Sequence, residues 1–205
     1  MRHWATYRGV PARQDANADG SCLHGSRSTG AFDGGVARDC QHGTVGGVVN
    51  VRAQIAMTAV ETGAFLAAGR TGILVSIGPD GLPDPVPMWY VVDAAGRIRM
   101  RTYAASQKVA NLRRDPRVCC LVEDGDRYVE LRGVQLTGRV ELVEDPDWIA
   151  EVVVGLAVKY EGLEPEHVEA VRESARNRAG KQVGLLLHVD HTVSWDHAKI
   201  NSVQR

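Results

Sequence analysis

Residues 72–93 read GILVSIGPDGLPDPVPMWYVVD, and the fold turns on how this stretch divides. GILVSI is a short β-rich run, PDGLP is a turn built from proline, aspartate and glycine, and DPVPMWYVVD is a second β-rich run. A third run, GRIRMRTY at 96–103, follows after the AAG turn. Two hairpins in succession predict an antiparallel sheet.

Reading outward, MTAVETGAFLAAG (57–69) sets Val60, Ala64, Phe65 and Ala68 at helical spacing, with Gly69 placed to end a helix. SQKVANLRRD (106–115) is a short helix with Val109 and Leu112 facing inward, stopped by Pro116. RVCCLVE (117–123) is a fourth strand, and residues 128–145 form a very long fifth with bend points at Gly133 and Gly138. DPDWIAEVVVGLAVKY (145–160) opens with an aspartate cap and a proline in its first turn. A more polar helix at 164–179 precedes a closing strand, KQVGLLLHVDHTVSWDH. The pattern predicts a mainly β (α+β) fold, a six-stranded antiparallel β-barrel with flanking helices.

The net charge of the 205-residue chain is −1, which argues against a general nucleic-acid binder. No run of eighteen apolar residues is present, so no membrane span is predicted. The start, MRHWATYRGV, lacks the apolar core of a signal peptide, and the four cysteines are expected as reduced thiols in a cytoplasm. Residues 1–56 are glycine-rich, lack lysine and show no periodicity, which predicts a disordered or poorly packed extension before a domain at 57–205. Within the extension, Cys22, His24, Cys40 and His42 form two Cys-x-His pairs. A single intervening residue is tighter than zinc sites use and no apolar residues flank the pairs, so no metal site is predicted.

The stretch SQKVANLRRDPRV (106–118) gathers Lys108, Arg113, Arg114 and Arg117 on or just after one short helix. Free N–H groups and the dipole at a helix start attract anions, with Ser106 able to cap or donate and Lys108 adding a charge. Charge alone leaves two readings open, a phosphate clamp and a solvated helix face.

Taken together, GILVSIGPDGLPDPVPMWYVVD, GRIRMRTYAASQKVANLRRDPRVCCLVED and LRGVQLTGRVELVED resemble the pyridoxamine 5'-phosphate oxidase-like split β-barrel family of flavin and deazaflavin binders. More narrowly they resemble its actinobacterial branch of F420-dependent oxidoreductases. The resemblance runs from Met57 to the end, SWDHAKI included. It implies that Arg101, Thr102, Ser106, Gln107 and Lys108 hold the cofactor's phosphate and that Val86, Pro87, Met88 and Trp89 lie against its ring system. Where the oxidases carry SRK this chain has SQK, which removes one arginine fork and weakens the case for FMN and vitamin B6. Arg113 and Arg114, with Arg117, extend the cationic track toward the acidic tail of the deazaflavin F420. The implied activity is hydride transfer from F420 to a conjugated small-molecule acceptor. An FMN-dependent oxidase or reductase, and a non-catalytic flavin- or haem-binding module, are the alternatives. The resemblance also implies a homodimer with cofactor sites at the interface, and the strand at 128–145 is expected to leave an exposed edge otherwise.

The remaining conspicuous residues have plainer readings. His188, His191 and His197 alternate faces along one strand and are expected at a surface or interface. Trp148 and Tyr160 are expected to pack helices onto the barrel, and Trp195 to pack in the core or between subunits, with the ring-binding pocket as the alternative. Cys119 and Cys120 point to opposite faces with no base nearby, so no nucleophile is expected there, and no catalytic residue is named.

Overall fold

The structure, a computed structural model, describes residues 51–202. The expectations for residues 1–50, including the Cys-x-His pairs, lie outside the described residues. Seven strands form one antiparallel sheet: β1 (Gly72–Ile77), β2 (Pro83–Met88), β3 (Val91–Val92), β4 (Ile98–Tyr103), β5 (Arg117–Asp124), β6 (Arg132–Val143) and β7 (Gln182–Asp196). Their order is β2-β1-β5-β6-β7-β4-β3. Seven strands replace the expected six because the run at 84–93 breaks at Trp89 and Tyr90 into β2 and β3.

That break closes the fold. β2 and β3 are opposite edges of the sheet, yet only two residues join them. Three Cα–Cα steps of about 3.8 Å reach roughly 11 Å at most. The sheet must therefore curl until its edges nearly meet, leaving a barrel split along one seam. Tyr90 seals the seam: its side chain is fully buried and its hydroxyl donates to the Leu66 carbonyl at 2.6 Å. Alternate residues of the strands, among them Leu74, Met100, Cys120, Val122, Val134, Leu136, Val183 and Leu185, point inward to form the core.

Helices α1 (Val51–Gln54) and α2 (Ala59–Ala68) precede the sheet. A capping box starts α2, with Glu61 N–H donating to Thr58 Oγ1 at 3.2 Å and Thr58 N–H to the Glu61 carboxylate at 2.6 Å. Its buried residue is Leu66, whereas Val60 on the expected face is 82% exposed. The helix meets the barrel through its C-terminal half, where the Leu66 carbonyl receives Tyr90, so the apolar spacing of Val60 and Ala64 is not used. Residues 51–56, before the compositional boundary, bond to the last strand: Asp196 N–H donates to the Ile55 carbonyl at 2.7 Å.

Helices α4 (Pro146–Glu161) and α5 (Val168–Arg178) form a hairpin, with α4 packed on the outer face of β4 and β7, where Trp148 lies over Gly184. Asp145 caps α4 by accepting the Asp147 and Trp148 N–H groups.

The expected exposed edge on residues 128–145 is corrected. Residues 128–130 are a 3₁₀ turn, and β6 is interior, paired with β5 on one side and β7 on the other. Among the described residues the open edge is instead the second half of β7: β4 covers only residues 182–186, so residues 188–193 have strand partners on one side. Gly138 sits at the register slip, where a Cβ would come 1.9 Å from the His188 carbonyl oxygen. Gly133 is not a bulge. It makes room for the Trp195 ring, and its pairing is regular. Among the described residues no helix is long and apolar enough to cross a membrane.

Candidate phosphate clamp

β4 runs directly into α3 (Gln107–Arg114) through a turn in which Ser106 N–H donates to the Tyr103 carbonyl at 3.0 Å. Ser106 has the extended dihedrals of an N-cap (φ −75°, ψ 151°), and its carbonyl accepts the Val109 and Ala110 N–H groups. Its hydroxyl makes no cap. The oxygen is buried and has no hydrogen-bond partner among the described residues. Leaving a buried hydroxyl unpaired costs about 1–3 kcal/mol, so a ligand oxygen at this point would be favourable. Beside it, the half-buried Lys108 directs Nζ to within 3.4 Å of Thr102 Oγ1, a long contact that leaves most of the ammonium's bonding capacity open. Thr102 is 9% exposed.

Not every expected residue joins this group. Arg101 and Thr102 are neighbours on β4 and therefore face opposite ways, with Ile98, Met100 and Thr102 inward and Arg99, Arg101 and Tyr103 outward. The Gln107 side chain turns along the helix to donate to Asn111 Oδ1 at 3.0 Å. Arg113 and Arg114 stand at the other end of α3, about 9 Å along the axis from Lys108 for Arg114. Arg113 pairs with Glu144 at 3.2 Å, Arg114 donates to the Ile77 carbonyl, and Arg117 pairs with Asp115 at 2.6 Å. That last pair holds the Asp115 carboxyl at about 2, chiefly through the hydrogen bond from Arg117. The cationic track drawn from spacing is therefore broken after Lys108, because each of these arginines has a partner of its own.

Asn111, which no hydropathy pattern singles out, ties the clamp helix to the first hairpin. It is fully buried, and its Nδ2 donates to Ser76 Oγ at 3.0 Å and Asp84 Oδ2 at 2.8 Å while Oδ1 accepts from Gln107. Its spacing of four from Gln107 was the available signal.

β2 carries Val86 and Met88 inward against the core and Pro87 outward. Proline cannot donate, so its ladder to β1 is made by Asp84, Val86 and Met88, and Pro83, Pro85 and Pro87 turn their carbonyls to the open edge. That edge offers acceptors and no N–H donors. At its end Trp89, 50% exposed, stacks on Tyr160 with ring centres 4.5 Å apart and planes 6° apart. The Tyr160 hydroxyl donates to the Arg70 carbonyl at 2.6 Å and accepts the Tyr90 N–H at 3.2 Å. Lys159 lies 4.1 Å from the centre of the Tyr90 ring, and burial lowers its pKa.

The other conspicuous residues fall elsewhere. His188 meets Glu141 at 2.8 Å, His197 meets the Tyr128 carbonyl at 2.8 Å, and His191 is exposed on β7. Burial pushes the Cys120 thiol up to about 12 and raises that of Cys119. The buried, unpartnered Ser106 hydroxyl, with Lys108 and Thr102 at an uncapped helix start, fits a phosphate group.

The family model described as pyridoxamine 5'-phosphate oxidase matches residues 60–191, a span that takes in β1 to β6, the first two-thirds of β7 and the clamp. This chain belongs to the pyridoxamine 5'-phosphate oxidase family. Within that family fold, the chain is similar to a conserved hypothetical protein from Mycobacterium tuberculosis, at 43% identity over 73% of this chain and 91% of that one, with a TM-score of 0.66. It also resembles a Bacteroides thetaiotaomicron protein proposed as a 5-nitroimidazole antibiotic resistance protein, at 15% identity over 68% of this chain and 84% of that one, TM-score 0.54, a likeness of fold alone. An F420 reductase aligns over 63% of this chain and 93% of its own at 24% identity, with a TM-score of 0.49, too loosely superposed to carry an argument. No curated protein matches the chain.

Proposed function

We propose that this family member is an oxidoreductase that uses the deazaflavin F420 to transfer a hydride to a conjugated small-molecule acceptor. The observation that carries the reading is the buried Ser106 hydroxyl without a partner, beside Lys108 and Thr102 at an open helix start. Ser106 would donate to a phosphate oxygen, Lys108 would supply a charge-assisted contact, and the first N–H groups of α3 would complete the cradle. The chemistry the bound coenzyme supplies is hydride donation from its C5. Trp89, stacked on Tyr160 at the seam, offers a flat surface that would orient planar rings and exclude water from one face.

The proline edge of β2 supports a deazaflavin. If the ring lies along β2, the carbonyls of Pro83, Pro85 and Pro87 can accept from ring N–H groups but nothing there donates to a flavin's N5. A deazaflavin has carbon at that position and loses no hydrogen bond. FMN on the same clamp is the second reading. It is favoured by the engagement of Arg113 and Arg114 elsewhere, which leaves charge suited to a single phosphate group. We further propose that residues 57–205 act as a homodimer, an assembly that would cover the open 188–193 edge of β7, where Val189 and Val193 are each 42% exposed.

Titration of the full chain with F420 and with FMN, followed by tryptophan quenching, tests the cofactor. F420 should bind at least tenfold more tightly, and equal or tighter binding of FMN overturns that choice. Sedimentation should find a dimer, and a monomer that still binds coenzyme overturns the assembly.

A further inference from the structure

The outward face of β4 carries a second group of cations. Arg101, Arg178 and Lys181 line one cavity of about 860 Å³ between the α4–α5 hairpin and the adjacent ends of β4 and β7, with Tyr103, Asn177 and Gln182. None of the residues lining it is a carboxylate. On the same helical hairpin Glu151 and Glu169 pair with Arg172 and Asp147 pairs with Arg176, while Glu173, one turn before Asn177 on α5, does not line the cavity. Arg178 is oriented by Ser174, donating to its carbonyl at 3.1 Å and its hydroxyl at 2.9 Å, which leaves part of its guanidinium fork open. The half-buried Arg101 has no ion-pair partner among the described residues. The carbonyl end of α5 contributes only about half a negative charge, well below the three formal positive charges gathered here.

We propose that this cavity is a binding site for a small polyanion bearing two or more carboxylate or phosphate groups, separate from the clamp on the opposite face of β4. The size of the cavity suits a metabolite-sized molecule. Arg178 and Arg101 present planar forks that match oxyanions in pairs, and Lys181 adds a point charge at the rim. Asn177 and Tyr103 add neutral donors that fix orientation. The site neither needs the coenzyme nor shares a side chain with Ser106, Thr102 or Lys108, so it stands whether or not the cofactor reading holds.

Calorimetric titration of the full chain with sodium pyrophosphate and, separately, with citrate tests this. Both titrations are run on the Lys108→Ala protein, in which anion binding at the clamp is weakened at least tenfold. Saturable binding of one anion per chain is expected, weakened at least tenfold when Arg178→Gln and Lys181→Gln are added. A preference for pyrophosphate assigns the ligand to the phosphate class, and a preference for citrate to the carboxylate class. The double variant should keep the melting temperature of its parent, since both side chains are exposed. Arg101→Gln alone should weaken binding as well. Absence of saturable binding, or equal affinity with and without the Arg178 and Lys181 substitutions, overturns the proposal.

Discussion

The starts of α2 and α3 have nearly the same backbone and opposite chemistry. Thr58 (φ −66°, ψ 166°) and Ser106 (φ −75°, ψ 151°) both hold the N-cap conformation with a hydroxyl side chain. At α2 the chain closes the end on itself: Thr58 accepts from Glu61, Glu61 accepts from Thr58, and Lys199 reaches the same carboxylate at 2.7 Å. At α3 the hydroxyl is buried and idle, no acidic residue lies in the first turn, and the neighbouring cation is only loosely held. A helix start left open by its own sequence, in a protein that closes another so fully, is where an external anion is expected. The far end of α3 repeats the lesson, since its two arginines already have partners in β1 and in the residue after β6, and Arg117 at the start of β5 is held by Asp115.

The largest effect should come from the residue that holds α3 against the hairpin. Asn111→Ala strands the buried Ser76 hydroxyl and removes a donor from the half-buried Asp84, so unfolding by urea should show a loss of about 1–3 kcal/mol. Coenzyme affinity should fall with it, because the clamp helix loses its tie to β2. Unchanged stability would mean that the network does not position the helix.

The two hydroxyls should then separate. Thr58→Ala removes a working cap and should cost about 1 kcal/mol of stability. Ser106→Ala removes a hydroxyl that bonds to nothing, so stability should stay level or rise slightly. The same change should weaken coenzyme binding about fivefold, the equivalent of roughly 1 kcal/mol. Equal losses of stability at both positions would erase the contrast.

Acid should reach the closed start only slowly. The Glu61 carboxyl is held at about 2, against an ordinary 4.5, chiefly by its hydrogen bond from Lys199 and then by that from Thr58. A depressed carboxyl contributes stability that is fully present above pH 4.5 and is lost as pH falls toward about 2. The melting-temperature advantage of wild type over Glu61→Gln should therefore be flat from pH 7 to 5 and shrink below 4.5. An advantage that grows on acidification would contradict this.

The smallest effect belongs to Arg113. Its pair with Glu144 is exposed, so Arg113→Ala should change stability by about 0.5 kcal/mol or less.

Much of the barrel was legible in the sequence because turns and apolar runs are local signals. PDGLP marked the first hairpin, Asp145 with Pro146 marked the start of α4, and Gly138 marked the bulge. The seam was not legible, since nothing local shows that β2 and β3 lie at opposite edges of one sheet. For the same reason the open edge was placed on β6 when it belongs to β7. At the candidate site, Ser106 and Lys108 were singled out by their residue types at a strand-to-helix turn and Thr102 by the family resemblance, and the structure sets Lys108 Nζ 3.4 Å from Thr102 Oγ1. Arg101 was grouped with them although strand alternation sends it to the other face. Arg113 and Arg114 were read as free because Glu144 and the Ile77 carbonyl are distant in sequence. Asn111 escaped because a buried amide looks polar to any hydropathy reading.

The central claim is that the start of α3 holds the coenzyme's phosphate and its end does not. Parallel titrations of F420 into Lys108→Ala and Arg113→Ala test it most directly. Lys108→Ala should lose about 1.5–3 kcal/mol of binding, roughly ten- to a hundredfold in affinity, with little change in melting temperature. Arg113→Ala should bind within about twofold of wild type, since its guanidinium already serves Glu144. Wild-type affinity in Lys108→Ala, or an equal loss in both variants, would show that the open helix start is a solvated surface and contradict the account.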